Sequence, residues 1–194
     1  MTVVLRGGVE IGAPVEIVLG FLERWRFEAG DATPRFGETD LRLANRGGAR
    51  IAATEITDVL VRRRRIERAL RAIPSDASLA AGAVPWTALG DLFAAFAEIR
   101  GVGLSKMTKT LHPKRPALIP MLDSVVQQYL HDDDLGAAAP FGARAVALVR
   151  AYKRDIDTNR AALRAVRRDL ASRGRDVTEV RILDLLIWAV EVGQ

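Results

Sequence analysis

The sequence predicts an all-α protein, a single helical domain over 1–194 with two loosely defined lobes. Three observations lead there. Apolar residues recur at steps of three and four through almost every segment, giving each one buried face. Proline, glycine and capping residues punctuate the ends of those segments. The stretch from Ile182 to Val190 is apolar on nearly all sides, as a helix at the centre of a core must be. Strand content should be near zero. Thr2-Val3-Val4-Leu5 reads as one short strand or a loosely held arm.

Taken in order, Pro14 suits a first helical turn, and Val15, Val18, Leu19, Leu22 and Trp25 share one face of a helix that should end near Arg26. Residues 27–38, with Gly30, Pro34 and Gly37, read as a loop. Thr39 or Asp40 caps a short helix through Asn45, stopped by Gly47-Gly48. The next helix should run from near Thr54 to Ile73, with Pro74 as its stop and Ile56, Val59, Leu60, Ile66, Leu70 and Ile73 inward. Arg62 to Arg65 lie in its middle, pointing in four directions about 100° apart. They read as a solvated face whose stems cover the core, or as a phosphate-contacting edge. The segment 74–85, rich in Ala, Ser, Gly and Pro, is the candidate lobe boundary.

Residues 86–129 are the organising element. An apolar helix (Trp86, Leu89, Leu92, Phe93, Phe96, Ile99) enters a tight hairpin at Arg100-Gly101-Val102-Gly103. A short basic helix, a proline-bounded loop and a helix beginning near Asp123 follow. Phe141 to Ser172 should form two helices broken near Asp155–Thr158. The last helix starts near Asp176 or Thr178, with Glu179 placed for a capping interaction.

Composition narrows the chemistry. There is no cysteine, so disulfides, thiol nucleophiles and zinc–thiolate sites are excluded. The only histidines are His112 and His131, too few for a multi-histidine metal site. His131-Asp132-Asp133-Asp134 reads as a polar helix end and loop, because adjacent residues rarely converge on one ion. No metal and no cofactor is expected. No apolar run approaches the roughly 20 residues of a membrane span, and no leader-like segment opens the chain, so a cytoplasmic setting without membrane contact is expected. The formal net charge of +5 is a mild bias toward polyanionic partners. Arginine outnumbers lysine 25 to 4, yet Lys106, Lys109 and Lys114 fall within nine positions. That clustering suggests sites needing a compact ammonium.

Helix-start amides lack intrahelical acceptors and hold anions readily. The candidate phosphate contacts are therefore Gly101, Gly103, Ser105, Lys109, His112, Lys114 and Arg115. Lys106 or Lys109 is a candidate amine nucleophile if desolvated, and Asp123 a candidate catalytic carboxylate that would also cap its own helix.

Gly101-Val102-Gly103-Leu104-Ser105-Lys106, followed by Pro120-Met121-Leu122-Asp123, resembles the signature of the helix-hairpin-helix DNA glycosylases. The resemblance implies a glycosylase-like helical domain, a hairpin whose amides hold a DNA phosphate, and an aspartate facing a flipped base. Ser105 stands where the lyase-competent members carry lysine, which implies a monofunctional hydrolase. The chain is also similar, over nearly its whole length, to an uncharacterised bacterial family distantly related to those enzymes. That likeness runs through Thr108-Lys109, Leu111-His112, Lys114-Arg115-Pro116, Leu118, Pro120, Asp123, Arg181-Ile182-Leu183-Asp184 and Trp188, and brings no assigned activity. Two functions stay open. One is a DNA-binding protein that grips backbone phosphate at 101–105 and excises a base. The other is a non-catalytic protein–protein or small-ligand module with a relic hairpin.

Overall fold

The computed structural model describes residues 2–24 and 30–193. The architecture is almost entirely helical. Ten α-helices are present among the described residues: α1 (Pro14–Arg24), α2 (Glu38–Arg46), α3 (Ala53–Val61), α4 (Arg63–Arg71), α5 (Trp86–Ala94), α6 (Leu104–Leu111), α7 (Ser124–Tyr129), α8 (Phe141–Thr158), α9 (Arg160–Ser172) and α10 (Glu179–Val192). The end expected for the first helix, at Trp25 and Arg26, lies outside the described residues.

The N-terminal segment is a fastened hairpin rather than a loose arm. Val3–Val4 (β1) pairs antiparallel with Glu10–Ile11 (β2), Val3 opposite Ile11. Asn159, the residue separating α8 from α9, holds it: its amide donates to Val4 O and accepts from Val4 N, both at 2.8 Å. Arg6 adds ion pairs to Asp133 at 2.6 Å and Asp155 at 2.9 Å. Asp133 and Asp134 of the acidic run thus serve as internal partners, Asp134 pairing with Arg144 at 2.6 Å. Among the described residues no group of three or more metal-ligating side chains gathers, and no helix is long and apolar enough to cross a membrane.

α10 is the axis of the core. Every residue from Glu179 to Ile187 is buried, and α1, α7, α8 and α9 pack around it. α5 lies along α8 and against α4, and α2 rests on α6. The segment 74–85 joins this core through Leu79, fully buried, whose amide donates to Ala117 O at 2.9 Å.

Two boundaries differ from expectation. The helix expected over 54–73 is broken at Arg62, which leaves the helical backbone (φ −92°, ψ 5°) and joins α3 to α4. A core-facing stripe continues on both sides, so spacing alone does not reveal the bend. α5 ends at Ala94 and reaches the hairpin through turns, one of them at Glu98 with φ 64°.

Candidate functional site

At the hairpin, Gly101 adopts φ 82°, a left-handed backbone that favours glycine. Val102 N–H closes the turn on Ile99 O at 3.1 Å, and α6 starts after Gly103 with no side-chain cap. Gly101 and Gly103 face solvent, while Ser105 is half-buried. An acid from a distant helix stands at the bend. A Cβ at position 101 would lie 2.1 Å from Glu55 Oε1. Both Glu55 oxygens lie 2.7 Å from Lys106 Nζ, and Oε2 also accepts from Ala52 N at 2.9 Å. Burial works to raise the Glu55 carboxyl, but the Lys106 and Ala52 hydrogen bonds outweigh it and hold it below the usual range. Lys106, suggested by the sequence as an amine nucleophile, is engaged here as the ion-pair partner of Glu55.

Lys114 and Arg115 also need correcting, because neither forms a basic loop over a nucleic acid. Lys114 is 1% exposed, and its ammonium sits 2.8 Å from both Asp31 Oδ1 and Asp40 Oδ1. Arg115 is 2% exposed. Its guanidinium donates to Leu70 O and Ile73 O at 3.0 Å, and to Ala32 O and Lys114 O at 2.7 Å. Arg115 thus satisfies carbonyls at the end of α4. Both cations tie the loop after α6 to α2, α4 and the 31–32 segment. They are long enough to reach those partners from positions that look like a surface loop.

Lys109 and His112, one turn apart on α6 and its 3-10 extension, point elsewhere. They line a cavity of about 920 Å³ between α1, α2, α6 and the α9–α10 connection. Leu22, Leu43, Pro113, Met121 and Val177 supply apolar wall, and Arg46, Arg175, Thr178 and Arg181 polar wall, with Glu23 and Asp176 the acids. Gly30 closes one side. A Cβ there would stand 2.5 Å from Pro113 Cβ, so only glycine lets the two strands of chain meet.

His112 is held as a neutral ring. Its Nδ1 lies 2.7 Å from Ile119 O, and a carbonyl only accepts, so the proton is on Nδ1 and the lone pair on Nε2. Burial, then the Arg181 charge, push its pKa down to about 4 against the Ile119 hydrogen bond. As to the phosphate contact expected at 112, the ring's one N–H is taken by Ile119 O, and near neutral pH its free nitrogen is an acceptor.

Behind the cavity wall lies a buried polar network. Asp123 caps α7, Oδ1 accepting from Val126 N at 3.1 Å, and its Oδ2 accepts from Trp188 Nε1 at 3.0 Å. Asp184 Oδ1 lies 2.9 Å from Tyr152 Oη, and Oδ2 accepts from Met121 N at 3.4 Å and stands 4.0 Å from Arg181 Nη1. Burial drives the Asp184 carboxyl up to about 7 despite Arg181 and Tyr152, and burial also lowers Arg181. Both Asp123 oxygens are engaged and Asp123 does not line the cavity, so the structure gives it a cap and a Trp188 anchor rather than an open reaction face. The structure therefore brings Asp123, Arg181, Asp184 and Trp188 together and places Lys109 and His112 at the cavity, while Gly101, Gly103, Ser105 and Lys106 sit apart. Arg175 and Thr178 were missed, lying in a polar connection with no periodicity. Asp184 and Arg181 left a signal: charges within the buried part of a helix that is apolar on nearly all its sides.

Fold and site together define an all-α protein with a cation-lined cavity backed by a buried polar network. The chain belongs to a family of unknown function, DUF6308, whose model matches residues 23–191. No curated protein and no solved structure matches it.

Proposed function

We propose that this protein binds a small anionic ligand in the cavity between α1, α2, α6 and α10. The observation that supports this most is the wall itself: Arg46, Lys109, Arg175 and Arg181 outnumber the acids Glu23 and Asp176 around about 920 Å³ of space that Leu22, Leu43, Pro113, Met121 and Val177 also line. A few charged groups on an apolar wall is the usual composition of a small-molecule site, and the volume is at the upper end of that class. The neutral His112 ring adds an acceptor for a ligand N–H or O–H. The hairpin reading draws support from the exposed Gly101 and Gly103 but meets the Glu55 carboxylate at the same bend, where a phosphate would be repelled. The test is calorimetric titration of the full chain with inorganic phosphate, citrate and nucleoside monophosphates. At least one should bind at micromolar to millimolar concentration, and Lys109→Ala with Arg175→Ala should weaken it tenfold or more. No binding across the panel, or equal binding by the variant, overturns the proposal.

A further inference from the structure

The basic run at Arg62–Arg65 is not absorbed by the cavity. α4 is nine residues long, with Ile66, Ala69 and Leu70 buried. Arg64, Arg65, Arg68 and Arg71 are all exposed. At about 100° per residue, these four fall within an arc of about 120°. Four arginines elsewhere, Arg6, Arg144, Arg154 and Arg167, each reach a carboxylate from another element. Among the described residues none of the four on α4 makes a close ion pair, although the charge of Arg71 acts on Glu67 and helps to lower its pKa. The single acid of the helix, Glu67, already holds Arg63 at 2.9 Å and Phe36 N at 3.0 Å.

The row is also rigid. Arg62 Nη1 donates to Ala97 O at 2.5 Å where α4 begins, and Arg115 holds Leu70 O and Ile73 O where it ends. Bonding those carbonyls to a guanidinium offsets the negative pole of the helix end. From Arg64 to Arg71 the rise is about 10.5 Å. A duplex presents one negative charge per about 1.7 Å of axis, so roughly six phosphate charges lie along that length.

We propose that the exposed arginine face of α4 docks on the phosphate backbone of a nucleic acid, without reading sequence. Arginine's planar fork matches phosphate oxygens in pairs. Insertion into a lipid surface is disfavoured, because an interfacial helix needs a free apolar face and Ile66 and Leu70 are fully buried. The site shares no residue with the cavity and does not depend on the ligand proposed there.

The test is fluorescence anisotropy of the full chain with a labelled 20-base-pair duplex and a single strand, over 50–300 mM salt. The parent should bind with a log–log salt slope of about −3. Arg64→Gln/Arg68→Gln/Arg71→Gln should lose at least tenfold in affinity and most of that slope, with an unchanged circular dichroism spectrum. Arg164→Gln/Arg168→Gln, on exposed positions of α9, should behave like the parent. Absence of binding at 50 mM salt, an unaffected α4 variant, equal loss in the α9 variant, or binding only to phosphatidylserine vesicles would each overturn it.

Discussion

The hairpin and the cavity lie along one helix and draw on the same small set of lysines, yet they end differently. At the start of α6, Lys106 meets Glu55 from α3, and just past its end Lys114 meets Asp31 and Asp40. Between them Lys109 faces the cavity, and no ion pair engages it among the described residues. The two outer lysines hold the fold together across 51 to 83 positions of chain, and the middle one lines the cavity. A cluster of cations in sequence is therefore not a binding site until the acids that reach it are known.

The sharpest break of this contrast is a pair of substitutions read by urea denaturation. Lys114→Met leaves Asp40 and the more exposed Asp31 without their shared cation and should cost about 1–3 kcal/mol, the exposure of Asp31 limiting the penalty. Lys109→Met removes a cation that is in no ion pair among the described residues and should cost less than about 0.5 kcal/mol. Equal costs would erase the distinction between structural and cavity-facing lysines.

The polar network behind the cavity gives the next largest effect, and two groups oppose each other there. Asp184 has its folded pKa raised to about 7, from an ordinary value of 3.8. Its contribution to stability is present below about pH 4 and is lost as pH rises through 7. His112 has its folded pKa lowered to about 4, from 6.5. Its contribution is present above about 6.5 and is lost as pH falls through 4. Between pH 4 and 6.5 the two slopes, each up to about 1.4 kcal/mol per pH unit, cancel in the parent. Asp184→Asn should therefore become less stable as pH falls across that window. His112→Asn should become more stable as pH falls, relative to the parent. Thermal melts at half-unit steps from pH 4 to 7.5 check both signs, and parallel profiles for the two variants would refute the assignment.

The helices could be read from sequence because each buries one stripe of itself, and a stripe is a local pattern. Val15 to Leu22, Leu163 to Leu170 and the stretch Ile182–Ile187, apolar except for Asp184, announce their environments without reference to any other element. The capping role of Asp123 was equally local, three residues from the amide it accepts. What a cation faces is not local. Lys114 looks like a loop lysine between a proline and an arginine, and only the fold brings Asp31 and Asp40 to it. The same holds for Trp188, which reaches Asp123 from 65 positions away. Long-range polar pairing leaves no periodic trace, and that is why the cavity, unlike the helices, had to be seen.

Gly101 offers the finest test of how the bend is closed. Alanine there meets two separate costs. One is the left-handed backbone at φ 82°, on the order of 1 kcal/mol for a residue with a Cβ. The other is steric and electrostatic: the new methyl takes the place of Glu55 Oε1, so the carboxylate must swing away and Lys106 loses its partner. Glu55 is a flexible side chain that is able to move, which keeps the second cost below about 1 kcal/mol. A double-mutant cycle with Glu55→Ala separates the two, because in that background only the backbone cost remains. A coupling energy of a few tenths of a kcal/mol to about 1 kcal/mol is expected between positions 55 and 101. If the cycle closes with no coupling, Glu55 does not occupy the bend in solution, and the hairpin amides return as a site for an external phosphate.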